Sequence, residues 1–111
     1  MAELLGTFEQ LVLLSVLGLD DEAYGRAVLT AIETASTGQR SISAGAVYAT
    51  LDRLEAKALL SSRIEQGTIA RGGRARRFYR LTPTGGAALT EARRTLERMW
   101  QGKRWPLEIT Q

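Results

Sequence analysis

The first part of the chain is rich in apolar residues that recur at helical spacing. Residues 4–19 are apolar on nearly every side of a helical projection, and Thr7 followed by Gln10 fits a capping box at the start of this helix. A helix that is apolar all round must be covered on both sides. In a protein this small, we expect a second subunit to supply part of that cover.

A second helix is predicted from Ala23 to Thr37, where apolar residues repeat near the helical period and Gly38 supplies a stop signal. Asp20, Asp21 and Glu22 precede it, and carboxylates at a helix N-terminus accept from unpaired N–H groups and suit the helix dipole. The same acids could instead form a cation site or a catalytic pair. Since no partner group stands near them in the sequence, capping is the favoured interpretation.

A third helix is predicted over residues 43–58, with Ser43 as its N-cap. Its apolar face comprises Ala46, Val47, Leu51, Leu54 and Ala58. The opposite face holds small residues and is flanked by one aromatic and one basic side chain: Gly45, Ala49, Asp52 and Ala56, with Tyr48 and Arg53 on the flanks. An ordinary solvated face would be rich in Glu and Lys, so this face favours close approach to another surface.

Two strands joined by a basic, glycine-rich loop follow, because the apolar period shifts toward two. They cover residues 60–66 and 76–82, and the loop covers residues 67–75. Alternation divides the second strand into two faces, Tyr79 with Leu81 and Arg76 with Phe78 and Arg80.

The last helix opens at Thr82-Pro83, an N-cap followed by proline at the first helical position, and is predicted to end near Gly102. It carries a short apolar seam, too short for a free-standing coiled coil. We expect it to pair by packing on the first helix of a second copy. The predicted dimer interface contains Leu5, Phe8, Val12, Leu89, Ala92, Leu96, Met99 and Trp100.

Composition removes several function classes. A chain of 111 residues indicates one domain, and it has no cysteine and no histidine. Thiolate metal sites, cysteine nucleophiles and Ser-His-Asp chemistry are therefore excluded, and we predict no catalytic residues, metal or cofactor. The apolar run Leu11–Leu19 is too short to span a membrane and the first basic residue is Arg26, so we expect a soluble, cytoplasmic protein.

Positive charge is concentrated in the predicted hairpin. The chain has a net charge of +3, yet residues 63–80 hold six arginines against Glu65 alone. Arginine bridges phosphate oxygens through its planar fork, so nucleic acid is favoured over a merely solvated hairpin. A nucleotide phosphate loop does not fit, because the paired glycines lead into a strand and the loop has no lysine.

Three helices followed by a basic hairpin is the order of a winged helix-turn-helix, a mainly α fold with a small β-hairpin. In that fold the second helix of the turn enters the major groove, and the hairpin reaches the neighbouring backbone. We expect residues 1–82 to form the DNA-binding domain, residues 83–104 the dimerisation helix and residues 105–111 a tail.

The segments TFEQLVLLSVLGLDDEAYGRAV, SAGAVYATLDRLEAKALLSSR and RGGRARRFYRLTPTGGAAL resemble the PadR-like transcriptional regulators. The resemblance covers roughly residues 5–100. It implies a homodimeric winged-helix DNA-binding protein, usually a repressor, in the short form with a single C-terminal helix. The chain departs from the family pattern at Ala58, where members commonly carry glycine. We expect that change to be mild and to stiffen the helix end.

By position, the resemblance implies a set of DNA contacts: Ser43, Tyr48 and Arg53 at the groove and backbone, Gly45 and Ala49 facing base edges, and Arg71, Arg74 and Arg76 on the wing. Since Gly45 and Ala49 have little bonding capacity, sequence reading would depend on Ser43, water and DNA shape. Alternatively, Tyr48 is an aromatic side chain buried under the wing.

The resemblance also implies a pseudo-palindromic operator and, as in some members, release by a flat aromatic compound. Trp100 is the residue on which such a ligand could stack, although a tryptophan there is more often plain interface packing. The alternative function is a winged-helix module that binds another protein rather than specific DNA.

Overall fold

The computed structural model describes residues 4–37 and 41–104 of the chain. In chain order the elements are α1 (Thr7–Leu19), α2 (Gly25–Ala35), α3 (Ala44–Ala56), β1 (Leu60–Glu65), β2 (Arg76–Leu81) and α4 (Pro83–Trp100). The strands pair antiparallel, with Leu60 opposite Leu81 and Glu65 opposite Arg76. The predicted order of elements is therefore confirmed. The predicted starts of β1, β2 and α4 are confirmed as well, while several of the other bounds differ by one or two residues.

Two of the four predicted helix starts are confirmed. The Ser43 hydroxyl accepts from the Ala46 N–H at 3.1 Å, and the Thr82 hydroxyl accepts from the Gly85 N–H at 3.0 Å. The capping box predicted at Thr7 is wrong, because α1 begins one residue after Gly6, whose N–H donates to Glu9 Oε1 at 3.1 Å. Glutamate three residues after the cap position performs the role that the sequence pattern assigned to Gln10.

The start of α2 also differs from the prediction. Asp20–Glu22 form a separate 3₁₀ turn, and α2 begins at Gly25 without a side-chain cap. Ala23 and Tyr24 instead pair with β2: the Ala23 carbonyl accepts from the Tyr79 N–H at 2.8 Å, and Tyr24 bridges to Phe78. Pairing with the hairpin, a contact distant in sequence, thus delays the helix by two residues. The predicted stop at Gly38 lies outside the described residues.

The core lies between the first three helices and the hairpin. Its fully buried members come from every one of these elements: Val12, Leu13, Val16, Val28, Ile32, Val47, Leu51, Leu54 and Leu60. Two residues assigned to the buried face of α3, Ala46 and Ala58, are exposed, whereas Thr50 is buried.

The expectation for Ala58 is wrong. Ala58 does not extend α3, since its φ is +63° and it follows the C-cap residue Lys57. The Leu59 N–H donates to the Leu54 carbonyl and the Ala58 N–H to the Glu55 carbonyl, which together form a Schellman motif. The left-handed position of that motif favours glycine because a Cβ is strained there.

The start of α4 is joined directly to the end of α3. The Thr82 hydroxyl donates to the Ala58 carbonyl at 2.7 Å, and the Thr82 N–H donates to the Leu59 carbonyl at 3.1 Å. Beyond this joint α4 is largely uncovered, because among its residues only Gly85 and Ala92 are buried.

Candidate nucleic-acid interface

The outward face of α3 is open, as the pattern of small residues predicted. Gly45, Ala49, Asp52 and Ala56 are all exposed. At the start of this face, Ser43 Oγ accepts the capping hydrogen bond, so its hydroxyl proton remains available to donate to a base or a phosphate. The face therefore consists mainly of small side chains and has one hydroxyl at its start.

Tyr48 lies between this face and the start of α2. Its side chain is exposed to 49%, so the alternative in which it is buried under the wing is wrong. The ring rests on Gly25, where a Cβ would lie 2.8 Å from the tyrosine hydroxyl oxygen. Tyr48 therefore presents a half-exposed side chain beside the small face of α3.

Arg53 lies on the other flank, toward the start of α1. Its Nη2 donates to Thr50 Oγ1 at 3.3 Å, and its Nε lies 4.0 Å from Glu9 Oε2. Lys57 Nζ donates to the same carboxylate at 3.1 Å. The backbone N–H of Gly6 lowers the pKa of Glu9 most, partial burial opposes this, and Lys57 lowers it further. Glu9 thus pairs with Arg53 of α3 and with Lys57, the C-cap residue of that helix, while capping α1.

One face of the hairpin, from its middle to its loop end, carries a stack of aromatic rings and guanidinium groups. Arg76 lies 3.9 Å above the Tyr24 ring centroid, Tyr24 meets Phe78 edge to face at 5.7 Å, and Arg63 lies 4.9 Å above Phe78. This stack explains why Phe78 is buried although it points away from Tyr79. Cation–π contact leaves the edges of the guanidinium of Arg76 able to bond to another group.

Ion pairs neutralise part of the charge that the sequence places on the hairpin. Arg63 pairs with Glu65 at 2.8 Å, and Arg80 pairs with Asp21 at 3.0 Å. Asp21 is thereby the partner of a hairpin arginine, which replaces both its predicted capping role and the alternative cation site. Positive charge is consequently concentrated further along, toward the hairpin tip.

The three wing arginines named in the sequence analysis differ in their surroundings. Arg71 Nη2 donates to the Gln66 carbonyl at 2.5 Å across the loop, and its Nε is buried. Arg76 is held on Tyr24. Arg74 is exposed and its side chain makes no hydrogen bond or ion pair with another described residue. Arg71 therefore closes the loop, while Arg74 and Arg76 present charge outward.

Arg77 lies on the face of β2 that is turned toward α3, opposite to Arg76, and is absent from the predicted DNA contacts. Its Nη1 donates to Ser62 Oγ at 2.9 Å, and Ser62 Oγ donates to Glu55 Oε2 of α3 at 2.6 Å. The strand alternation already indicated this position, because Arg77 stands two residues before Tyr79 and therefore lies on the same face of β2. Burial raises the pKa of the Tyr79 phenol and the charge of Asp52 adds to this, so Tyr79 stays a neutral packing residue between α3 and the hairpin.

An apolar groove of about 850 Å³ runs between α1 and α4. Leu14, Leu17, Leu89, Leu96 and Trp100 line it, and Leu96 and Trp100 are exposed to 51% and 55%. Of the other predicted interface residues, Leu5 and Phe8 are half-buried, Ala92 is buried and Met99 is exposed. Val12 is an error in that prediction, because it is fully buried in the core of its own chain.

Comparison with known proteins identifies the family. The model of the transcriptional regulator PadR-like family matches residues 13–91. The chain belongs to this family. The transcriptional regulator Rv3488 of Mycobacterium tuberculosis is a relative of this chain, 52% identical over 80 residues, which are 72% of this chain and 68% of the relative.

Solved structures show the same winged-helix fold. A PadR family transcriptional regulator from Eggerthella lenta matches with a TM-score of 0.68 at 29% identity, over 87% of this chain and 78% of that chain. BpsR of Bordetella bronchiseptica matches in fold with a TM-score of 0.64 at 22% identity, over 96% of this chain and 72% of that chain.

The PadR-like chain is a DNA-binding transcriptional regulator and not an enzyme. Within residues 4–37 and 41–104, no three metal-ligating side chains gather at one place. None of the helices in those two ranges is both long and apolar enough to cross a membrane.

Proposed function

We propose that this PadR-like chain is a homodimeric repressor that binds a pseudo-palindromic operator. The observation that carries the proposal is the joining of two surfaces at the start of α2. Tyr48 of α3 rests on Gly25, and Arg76 of the hairpin rests on the adjacent Tyr24. The exposed small face of α3 and the basic wing are thereby held next to each other, as one duplex requires.

Different residues take different roles in this proposal. Tyr48, Arg53, Arg74 and Arg76 contact phosphates, because each carries a hydrogen-bond donor on an exposed or half-buried side chain. Ser43, Gly45 and Ala49 meet base edges, and discrimination depends on the Ser43 hydroxyl, ordered water and DNA shape. Arg71 acts indirectly by holding the wing loop closed. Residues 1–82 form the DNA-binding domain, and residues 105–111 form a tail.

The α1–α4 groove is the proposed dimer interface, with residues 83–104 as the dimerisation helix. Five large apolar side chains support this, since Leu14, Leu17, Leu96, Met99 and Trp100 are each at least half exposed in a single chain. Monomeric proteins rarely leave so large an apolar patch open to water. In the dimer, the two α3 helices would lie about 34 Å apart, one helical turn of DNA.

Release by a small aromatic ligand is the proposed regulation. Trp100 lines the α1–α4 groove and offers a flat surface for stacking. For BpsR, a neighbour in fold, 6-hydroxynicotinic acid regulates DNA binding. A flat aromatic compound that binds between the two copies would change the spacing of the two α3 helices.

Selection of genomic fragments by the purified protein tests the DNA-binding proposal. We expect enrichment of fragments that share a two-fold symmetric site, including DNA upstream of the chain's own gene. Because phosphate neutralisation dominates affinity, the logarithm of the association constant should fall linearly with the logarithm of salt concentration, with a slope of roughly −5 to −10 for the dimer. A flat salt response, or no enriched sequence, contradicts the proposal and favours a protein-binding module.

A further inference from the structure

We propose that Gly25 is a positioning residue for DNA recognition, because its missing side chain provides the seat that fixes the Tyr48 ring. This inference rests on the proposed function and extends it to a residue that makes no DNA contact itself. Gly25 is the first residue of α2 and is buried beneath the tyrosine.

Space, and not backbone conformation, makes glycine necessary at this position. A Cβ on Gly25 would overlap Tyr48 Cε1 and would lie 2.7 Å from Cζ and 2.8 Å from the hydroxyl oxygen. The backbone of Gly25 is not in the left-handed region that favours glycine. Alanine would ordinarily suit a helix better than glycine does. The reason for glycine here is therefore the aromatic ring above it.

The contact decides where the tyrosine hydroxyl can go. An alanine at this position would force the nearest carbon of the Tyr48 ring to move by about 1.3 Å to restore an ordinary carbon–carbon separation of about 3.5 Å. Good hydrogen bonds occupy a range of only about 0.5 Å in length. A displacement of this size is enough to break a bond from the Tyr48 hydroxyl to a phosphate.

The contact between Gly25 and Tyr48 also fixes the position of α3 relative to the wing. Tyr24 precedes Gly25 in the chain and carries Arg76 at 3.9 Å from its ring centroid. Tyr48 and Arg76 are thus placed by two consecutive residues. Gly25 therefore keeps the tyrosine in a constant relation to the wing arginine, and an exposed tyrosine without this seat would sample several rotamers.

A double-mutant cycle measured as affinity for a selected operator fragment tests the inference. We expect Gly25→Ala to weaken binding about tenfold or more, the effect of one hydrogen bond to a charged group. Tyr48→Ala should have a similar effect. In the Tyr48→Ala background, Gly25→Ala should add less than about a twofold loss, because the ring is no longer there to be displaced. The matched control is Gly18→Ala, an exposed glycine of α1 with no atom within 4 Å of a Cβ, which should bind like the wild type.

Circular dichroism at the assay temperature establishes that each variant is folded. If Gly25→Ala lowers the melting temperature, Tyr48→Leu provides a second measurement, because it removes the hydroxyl without changing a residue of α2. Tyr48→Leu must then reproduce the loss of affinity.

The role of Gly25 alone is overturned if Gly25→Ala or Tyr48→Leu binds DNA with wild-type affinity. It is also overturned if Gly25→Ala causes an equal loss of affinity in both backgrounds. A wild-type chain that selects no fragment overturns the proposed function and the role of Gly25 with it.

Discussion

Replacing Ala58 by glycine should stabilise the protein. Ala58 occupies the left-handed position of the Schellman motif at the end of α3, with a φ of +63°. A Cβ in that conformation costs roughly 1–2 kcal/mol. Glycine removes this strain but adds backbone freedom to the unfolded chain, which offsets roughly 0.5–1 kcal/mol. The net expectation is about 0.5–1 kcal/mol of added stability and a rise in melting temperature of about 3–6 °C.

Equilibrium unfolding in urea at one fixed protein concentration measures this change, since dimerisation makes apparent stability depend on concentration. Ala49→Gly is the matched control: it makes the same chemical change at an exposed position inside α3, where glycine costs about 1 kcal/mol. The two substitutions should therefore act in opposite directions. A loss of stability from Ala58→Gly comparable to that from Ala49→Gly would refute the assignment of strain to Ala58.

Three further predictions follow from the ion pairs and surfaces. Arg74→Ala should weaken binding to the operator and to unrelated DNA by the same factor and make the salt slope shallower by about one per protomer, whereas Ser43→Ala should reduce the preference for the operator. Gel shifts on both DNAs measure these effects, and the prediction is contradicted if both variants change specificity alone. Because the pKa of Glu9 is lowered in the folded protein, the ionised carboxylate stabilises the fold. This contribution is complete above the ordinary pKa of 4.5 and is lost as the pH falls through the pKa that Glu9 has in the folded state. The advantage of wild type over Glu9→Gln in urea unfolding should therefore shrink from about pH 6 to about pH 3, and a constant difference argues against the pairing. Leu96→Lys should convert the dimer to a monomer, as measured by light scattering. Gln101→Lys, which adds the same charge outside the groove, should leave the dimer intact. A dimer that survives Leu96→Lys excludes the α1–α4 groove as the interface.

Local signals predicted much of the fold. Ser43 and Thr82 act as N-caps because a hydroxyl one residue before a helix can reach the first unpaired N–H groups, and this depends on neighbours in sequence alone. The same local reasoning failed at the start of α2, where Ala23 and Tyr24 pair with β2 instead of continuing a helix. A strand contact between residues far apart in the chain outweighs local helix preference there.

The candidate site was predictable in outline but not in the role of each side chain. The alternation of β2 placed Arg76 and Arg77 on opposite faces, so the sequence already contained the assignment of Arg77 to the face toward α3. It did not contain the capture of Arg71 by the Gln66 carbonyl, or the pairing of Arg80 with Asp21. Those partners depend on how the loop folds and on where the turn after α1 packs.

By itself, the sequence determined the order of the elements, the apolar and small faces of α3 and the concentration of arginine in the hairpin, because periodicity and charge are properties of neighbouring residues. Only the tertiary structure decided which arginines are neutralised, why Ala58 is strained and why Tyr48 needs a glycine beneath it. Each of these depends on the distance between side chains from different elements. Residue type alone does not encode that distance; it arises when the helices and the hairpin pack around one core.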